Sequence, residues 1–356
     1  MSVAFASSAC GSGAATGGGN GKASREIVYF APSSAGISYL IAQFKGIKDY
    51  AKQAGYTVKF VLNNLDAAQQ GQQVQQFVAS GEKPAAIMIF PLDPKAGVNQ
   101  AAQLSRIAPT FQINQKVAEG GWDYVKAYVG PSDALVGETA GKSLMHLRGE
   151  LNARGTKLHS TEGNVLFIGS VPGTAQAQAR YAGFVDATKA APFNMLENHD
   201  CCSDAEKAYA MASQLIPKWK SKLDFIVTQN DDTANGIARA LRQNGLEPGK
   251  DVWMVSGNCG GPASVLESKT VYATGLQSGY VEGAGMVSVI SAYFASGKKI
   301  APGEATLHYS EKAPSTSDKA PAQINILDNP PVFSADTASL TQNVWGVPLS
   351  QNCPLD

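Results

Sequence analysis

A run of polar side chains follows directly on a short apolar segment in the second half of the chain. Residues 225–227 are Phe, Ile and Val, residues 228–232 are Thr, Gln, Asn, Asp and Asp, and a helical pattern starts at Thr233. Amide and carboxylate groups at the carboxyl end of a buried strand, beside a helix N-terminus, lie where open α/β sheets bind ligands. Such groups hydrogen-bond small polar molecules, so the sequence predicts a ligand-binding edge at this point.

The same unit of apolar strand, polar tip and helix recurs along most of the chain. A first series is predicted to have strands at 26–31, 57–62, 85–90, 109–113 and 125–129, with helices at 39–54 and 67–79. A second series has strands at 164–169, 193–198, 223–228, 252–257 and 271–276, with helices at 134–153 and near 175–190, 204–216 and 232–244. Apolar strands that alternate with amphipathic helices indicate parallel sheets covered on both faces. We therefore predict an α/β fold of two doubly wound, Rossmann-like lobes.

Length and charge restrict the classes of function. A chain of 356 residues is long for one domain and suits two. Its 29 Lys and Arg residues balance its 29 Asp and Glu residues, so the formal net charge is zero. There is no basic field to attract nucleic acid or an anionic membrane surface, and we predict no nucleic-acid partner. No apolar run approaches the roughly 20 residues that a membrane span needs.

The first 25 residues carry no periodic pattern. Cys10 follows small residues and opens a tract of Gly, Ser, Ala and Thr, which resembles the end of a bacterial lipoprotein signal. Residues 1–25 are therefore predicted to be a signal remnant and a flexible lipoprotein tether, with Cys10 as the lipid anchor. A disordered tail with an incidental cysteine is the alternative.

Four cysteines remain when Cys10 is set aside. They are Cys201, Cys202, Cys259 and Cys353. An even number in an exported chain favours disulfides, and three pairings are possible. We favour a bridge between the adjacent pair, Cys201 and Cys202, and a second one between Cys259 and Cys353. A metal site is the competing idea, but no Cys-x-x-Cys and no neighbouring His pair supports it, so we predict no metal.

Three landmarks between about residues 26 and 310 resemble one protein family. They are Phe-Lys-Gly-Ile to Ala-Gly-Tyr at 44–56, GTAQAQARYAGF at 173–184 and QNDDTANG at 229–236. In this order, and at these strand ends, they resemble the type I periplasmic-binding-protein family, specifically the ribose- and galactose-type sugar-binding proteins of ABC importers. The resemblance implies two lobes joined by a three-strand hinge, with a ligand in the cleft between the lobes.

The resemblance also implies how the chain divides between the lobes. The N-terminal lobe is expected to comprise residues 26–130 and 278–306. The C-terminal lobe is expected to comprise residues 131–277 and 307–356, the last with a Pro-rich tail. Crossovers between the lobes are expected near Pro131, Gln277 and Leu307, the first of them at a turn cluster over 130–133.

Candidate ligand contacts follow from the same comparison. Amides stand where sugar binders of the family carry charges. Asn114-Gln115 replaces an Asp-Arg pair, Gln178 replaces an Arg that binds ligand oxygens, and Asn258 replaces an Asp. Tyr39 matches an aromatic residue on the first helix, while Phe90 and Asp93 lie near the end of the third strand. The candidate ligand-binding residues are Tyr39, Phe90, Asp93, Asn114, Gln115, Gln178, Asn230, Asn258 and Gln277.

Some charged residues have structural alternatives to a contact with ligand. Asp231 and Asp232 are expected to cap the following helix, and Arg180 is expected to brace its own loop. Asp93 is then the one carboxylate expected to reach the cleft, and the recognition of ligand is expected to be poor in charge.

A cleft lined by amides suits a neutral, hydroxylated ligand such as a sugar, a polyol or a derivative, because an amide both donates and accepts. We predict a solute-binding protein of an ABC importer, a monomer that works with a membrane permease. It is expected to be exported, and either lipid-anchored on the outer face of the cytoplasmic membrane or periplasmic. A sensor or receptor subunit is one alternative. A doubly wound enzyme acting on a nucleotide or sugar phosphate is another, but no dinucleotide fingerprint, GxSxG or P-loop occurs, so we predict no catalysis and no cofactor.

Overall fold

The computed structural model of the chain describes residues 24–35, 37–261, 264–307, 320–326, 331–334, 343–344 and 347–348. The predicted tether with Cys10, most of the Pro-rich tail and Cys353 lie outside the described residues. None of the helices in these ranges has both the length and the apolar character needed to cross a membrane.

Strands and helices alternate from Glu26 onward. In chain order the strands are β1 (Glu26–Pro32), β2 (Thr57–Asn63), β3 (Ala86–Ile89), β4 (Thr110–Ile113), β5 (Val125–Pro131), β6 (Asn164–Gly169), β7 (Asn194–Asp200), β8 (Phe225–Thr228), β9 (Trp253–Ser256), β10 (Ala273–Gly275), β11 (Ile300–Leu307), β12 (Ala320–Ile326), β13 (Pro331–Phe333), β14 (Asn343–Val344) and β15 (Val347–Pro348). The helices are α1 (Ser38–Ala54), α2 (Ala67–Ser80), α3 (Pro94–Leu104), α4 (Asp133–Ala153), α5 (Ala175–Thr188), α6 (Ala205–Trp219), α7 (Asp231–Gln243), α8 (Ser264–Glu267) and α9 (Gly279–Ala295).

The strands form two main sheets, one in each lobe. The first has seven strands in the order β11-β12-β5-β4-β3-β1-β2, and its strand pairs are parallel. The second has six strands in the order β13-β10-β9-β8-β6-β7, and only the edge strand β13 runs antiparallel to its neighbour among these described strands. The predicted α/β fold of two doubly wound lobes is confirmed.

Helices cover both faces of each sheet, which is why the central strands are apolar throughout. Strands β3 and β6 are buried at every residue. Helices α1 and α9 pack together on the first sheet, and α4 with α5 and α6 with α7 pack on the second. The approach of α1 to α9 is close at Gly46, where an added Cβ would lie 2.2 Å from the carbonyl oxygen of Tyr280. Small residues therefore set the spacing of these helices.

Between consecutive described strands, the chain passes from one main sheet to the other three times. The first two passages lie between β5 and α4, and between β10 and α9, close to the predicted positions at Pro131 and Gln277. The third lies between β12 and β13, so the expected crossover near Leu307 is wrong. Residues 320–326, which we expected in the second lobe, are a strand of the first sheet, paired with β5 and β11. Only β13, of the main-sheet strands after residue 307, joins the second sheet.

Candidate functional site between the lobes

The polar run after β8 forms the start of α7. Asn230 is its N-cap, and its side-chain oxygen accepts from the backbone amide of Thr233 at 2.8 Å. The side-chain amide of Asn230 donates to the carbonyl of Ser203 at 3.2 Å. The helix cap that we expected from Asp231 and Asp232 is therefore supplied by Asn230, which has few groups left to offer to a ligand.

The two aspartates of this run are buried instead. Burial raises the pKa of Asp231 to about 7, against the opposing effect of the nearby hydroxyls of Ser256 and Thr274. Asp232 reaches across the cleft to α1, where the backbone amide and the hydroxyl of Ser38 donate to its carboxylate at 3.0 and 3.1 Å. Burial raises the pKa of Asp232 to about 6, and these two bonds oppose the shift.

A cavity of about 80 Å³ lies between the lobes, at the carboxyl ends of both sheets. A larger depression, of about 1060 Å³, lies around Arg25 and Lys83 at the amino ends of β1 and β3. Parallel sheets bind ligands at their carboxyl edges, so the smaller cavity is the candidate site. It is lined by Pro32, Ile37, Tyr39, Leu40, Leu65, Phe90, Asn114, Gln176, Arg180, Ser203, Gln229, Asn230, Asn258 and Gln277.

The two lobes contribute walls of different character. The first lobe provides a mainly apolar wall, in which Ile37, Tyr39 and Leu40 form a buried cluster with Phe90 and to which Asn114 adds one amide. The second lobe provides amides, a hydroxyl and one guanidinium. An apolar wall that faces a wall of donors and acceptors suits a small molecule with both C–H and O–H surface.

Arg180 places a positive charge at the cavity, where we expected recognition to be poor in charge. Its Nε donates to the Asp133 carboxylate at 2.9 Å, and its Nη1 to the Gln229 oxygen at 3.1 Å. Its Nη2 lies 3.4 Å from the Gln277 oxygen. These bonds use three of the five N–H donors of the guanidinium, and the other two have no partner among the described residues. Arg180 thus braces the loop, as predicted, and also faces the cavity.

Six of the nine predicted contact residues line the cavity, and three do not. The six are Tyr39, Phe90, Asn114, Asn230, Asn258 and Gln277. Gln178 is exposed on α5, and Arg180 of the same helix takes the position that we assigned to it. Asp93 is exposed, and its carboxylate caps α3 by accepting from the amide of Ala96 at 2.7 Å. Gln115 lies beside the cavity wall without lining it.

A chain of hydrogen bonds joins the lobes at the cavity. Asn258 donates its amide to the side-chain oxygen of Gln277 at 3.1 Å, and Gln277 donates to the Tyr39 hydroxyl at 3.2 Å. Gln277 lies at the second passage between the lobes, so the chain of bonds follows the hinge. The side-chain oxygen of Asn258 is buried and has no hydrogen-bond partner among the described residues.

Behind the first-lobe wall lies Glu282, a residue that the sequence analysis missed. It is fully buried on α9, and its Oε2 accepts from the Tyr39 hydroxyl, from Gln43 at 3.1 Å and from Asn114 at 3.2 Å. Burial raises its pKa to about 7, although these three bonds oppose the shift. The signal in the sequence is that Glu282 is the one charged residue of the 17-residue segment that forms α9.

The adjacent cysteines form a disulfide at the rim of the second-lobe wall. Cys201 and Cys202 are bonded to each other. The orientation of Gln229 in the wall depends on this segment, since its side-chain amide donates to the carbonyl of Cys202 and to the Ser203 hydroxyl. Cys259 is also disulfide-bonded, and Cys353, its predicted partner, lies outside the described residues.

Comparison with known proteins identifies relatives of this architecture. The family model described as "Periplasmic binding protein domain" matches residues 28–299. No curated protein matches the chain.

Solved structures resemble the chain in fold at low sequence identity. A galactofuranose-binding protein is 17% identical, with a TM-score of 0.69 over 87% of this chain and 95% of its own. The binding component of an arabinose transporter from Shewanella sp. ANA-3, solved with L-arabinofuranose, is 18% identical, with a TM-score of 0.69 over 88% and 93%. An ABC-transporter solute-binding protein from Mycobacterium smegmatis, solved with glycerol, is 19% identical, with a TM-score of 0.69 over 89% and 97%.

Proposed function

The chain belongs to the periplasmic binding protein domain family, and from this premise we propose that it is the solute-binding protein of an ABC importer. It captures a neutral hydroxylated small molecule, a sugar, a polyol or a derivative, and presents it to a membrane permease. The observation that carries the proposal is the cavity at the carboxyl ends of both sheets, with one wall from each lobe.

The chemistry of the two walls supports this class of ligand. The apolar wall around Leu40 and Phe90 packs against the C–H face of a sugar or polyol. On the other wall, the Asn258 oxygen accepts from a ligand hydroxyl, and the two remaining N–H groups of Arg180 donate to ligand oxygens. Asp133 already balances the charge of Arg180, which favours a neutral ligand over a carboxylate. The bound molecules named for the similar structures, L-arabinofuranose and glycerol, are neutral and hydroxylated.

Binding proceeds by closure of the lobes. Three separate passages of the chain join the lobes and form the hinge. Only the closed arrangement contacts a ligand from both walls, so ligand selects it over the open one. Micromolar affinity, about −8 kcal/mol, suffices for capture.

The ligand leaves the protein unchanged. None of the described residues that line the cavity is Asp, Glu, His, Lys or Cys. The polar groups of the lining are amides, a paired guanidinium and the hydroxyls of Tyr39 and Ser203, none of which is a strong general acid or base near neutral pH or has a histidine beside it in the lining. The protein therefore acts by binding alone.

A thermal-shift screen of the full chain tests the proposal. The panel is L-arabinose, D-galactose, glycerol and myo-inositol, followed by calorimetric titration of each compound that raises the melting temperature. Specific binding stabilises the folded state in proportion to the logarithm of ligand concentration. We expect at least one compound to bind and to be recovered unchanged.

Two matched variants connect that binding to the cavity. Asn258→Ala removes the buried acceptor and is expected to weaken binding by about 1–3 kcal/mol. Gln178→Ala, an exposed change on α5, is expected to leave affinity within about twofold. A panel in which no compound binds, or equal effects of the two variants, contradicts the proposal. Turnover of a nucleotide or a sugar phosphate would favour an enzyme instead.

We further propose that the protein is exported, anchored through a lipid on Cys10, and active as a monomer. Cys10 and its tether lie outside the described residues, so support comes from the sequence pattern and the family. Cells given labelled palmitate are expected to label the wild-type chain and not Cys10→Ala, which should leave the membrane fraction. Label retained by the variant would contradict the anchor. Light scattering on the unlipidated chain tests the monomer.

A further inference from the structure

The two oxygens of the buried Glu282 carboxylate differ in their hydrogen bonds. Its Oε2 accepts three hydrogen bonds, from a tyrosine hydroxyl and two side-chain amides. Its Oε1 is buried and has no partner among the described residues. An ionised carboxylate only accepts hydrogen bonds, so three donors that converge on one oxygen match the charged form of Glu282.

Two of these three donors belong to side chains that line the cavity. Tyr39 and Asn114 form part of the first-lobe wall, and Glu282 lies directly behind them. The third donor, Gln43, accepts in turn from the buried hydroxyl of Tyr29 at 2.7 Å. The Tyr39 hydroxyl also accepts from Gln277 at the hinge. The orientation of the polar groups on this wall therefore depends on one carboxylate.

We propose that Glu282 is a positioning residue for ligand capture, whose carboxylate orients Tyr39 and Asn114 and whose protonation releases them. The inference rests on the proposed function of the cavity, because the side chains that Glu282 orients belong to that ligand-binding site. Glu282 itself does not line the cavity and is not a ligand contact.

The groups around Glu282 are mostly uncharged. Those that face it from the elements packed against it are Tyr39 and Gln43 on α1, Tyr29 on β1, Asn114 after β4, Tyr128 on β5 and Asp133 at the start of α4. Burial and the charge of Glu282 raise the pKa of both Tyr29 and Tyr128 well above the usual value for tyrosine, so both stay neutral. Asp133 is paired with Arg180.

The protonation of Glu282 falls in an accessible range of pH. Burial raises its pKa to about 7, and the charge of Asp133 acts in the same direction. Above that pH the carboxylate holds its three donors. Below it, the protonated acid carries no charge and accepts more weakly, so Tyr39 and Asn114 lose their strongest bond.

A first experiment needs no ligand. In protein labelled with ¹³Cζ-tyrosine, the Tyr39 signal is assigned by its loss in Tyr39→Phe. We expect this signal to titrate with a midpoint near pH 7 in the wild type and to stay constant in Glu282→Gln. A Tyr39 signal that is constant in the wild type, or that moves equally in both proteins, overturns the proposal.

A second experiment measures affinity for L-arabinose at pH 6 and pH 8. Wild-type affinity is expected to fall by about tenfold from pH 8 to pH 6, as charge-assisted bonds are lost. Glu282→Gln is expected to bind about tenfold more weakly at pH 8 and to lose much less affinity than the wild type between pH 8 and pH 6. Asp231 and Asp232 also titrate in this range, and the comparison of the two proteins removes their contribution.

Ser288→Ala is the matched control, since Ser288 is buried on α9 and its hydroxyl donates to the Ala284 carbonyl of the same helix. It is expected to keep the wild-type pH profile. The same profile in Glu282→Gln as in the wild type overturns the proposal. If neither L-arabinose nor any other panel compound binds, the proposed function fails, and the tyrosine signal alone decides the role of Glu282.

Discussion

Ser38 and Asp232 join the two lobes directly. The backbone amide and the hydroxyl of Ser38 both donate to the Asp232 carboxylate, at 3.0 and 3.1 Å. Ser38 is the first residue of α1 in the first lobe, and Asp232 lies in the first turn of α7 in the second. Because the two residues belong to different lobes, the contact holds the lobes together, and under the proposed closure it is expected to favour the closed arrangement.

Removal of the Ser38 hydroxyl is expected to favour the open arrangement. Ser38→Ala deletes one of the two bonds to Asp232, at a cost of about 0.5–1.5 kcal/mol. We expect a larger radius of gyration in small-angle X-ray scattering and several-fold faster release of bound sugar. Ser33→Ala is the control, because its hydroxyl accepts from the amide of Ala35 in its own lobe. Identical scattering by the two variants would exclude this role of Ser38.

Arg180, rather than Gln178, is expected to contribute to affinity. Arg180→Lys keeps a positive charge beside Asp133. It loses the planar guanidinium whose N–H groups donate to Gln229, Gln277 and ligand oxygens. We expect calorimetric titration to show affinity weakened by about tenfold or more. Gln178→Ala, on the exposed face of the same helix, should bind like the wild type. Equal losses in both variants would mean that the measured sugar does not reach Arg180.

Asp231 is expected to make the stability of the fold fall as pH rises. Its folded-state pKa of about 7 lies above the ordinary value of 3.8. Its contribution is therefore fully present below pH 3.8 and is lost as pH rises through about 7. Asp231→Asn removes this dependence, so its stability relative to the wild type should increase by about 2–3 kcal/mol from pH 5 to pH 8.

Guanidinium chloride unfolding at the two pH values measures that difference. The wild type provides the reference at each pH, since all other ionisable groups are shared with Asp231→Asn. A difference in the free energy of unfolding that is the same at pH 5 and pH 8 would show that Asp231 does not titrate in this range in the folded protein.

The Cys201–Cys202 disulfide is expected to affect binding more than stability. It closes a loop of adjacent residues, so it restricts the unfolded chain very little, and its removal should cost under about 1 kcal/mol. It also fixes the segment whose carbonyls hold Gln229 and Asn230. The double variant Cys201→Ala/Cys202→Ala should therefore bind sugar several-fold more weakly at nearly unchanged melting temperature.

The double variant is preferable to a chemical reductant, because Cys259 is also disulfide-bonded and would respond to reduction. Unchanged affinity of the variant would show that the backbone keeps its geometry without the bridge. A large fall in the melting temperature would show instead that the bridge supports the fold.

The alternation of apolar strands with amphipathic helices was enough to predict both lobes. Each of these elements is specified by a local pattern, and strands such as β3 and β6 are buried on both faces. Strand β12 was not predicted, because its segment, APAQINI, lies in a Pro-rich region and alternates apolar with polar residues, without the continuous apolar run of strands such as β3 and β6. Pro321 precedes residues 323–326, the part that pairs with β5, so proline does not interrupt that ladder.

Parts of the site could be predicted because the carboxyl ends of parallel strands lie at the same edge of a sheet. Asn114, Asn258 and Gln277 were assigned through the family resemblance, and each follows closely on a strand that ends at this edge. The error at Gln178 is one of helical phase, since a residue two positions away on a helix points to nearly the opposite side. The error at Asp93 was avoidable, because Asp followed by Pro is a signature of a helix start. Glu282 stands out as the one charged residue of its segment, but its partners lie on distant segments, and no local pattern identifies them.

The late position of β12 in the chain has a consequence for the order of folding during synthesis. Strand β5 is complete at residue 131, but its outer edge stays unpaired until residues 320–326 emerge. The central sheet of the second lobe, in contrast, is encoded in one continuous stretch from β6 to β10. On the ribosome the second lobe is therefore expected to assemble first, while the first lobe keeps an open sheet edge, which can pair with other chains, until β12 is made.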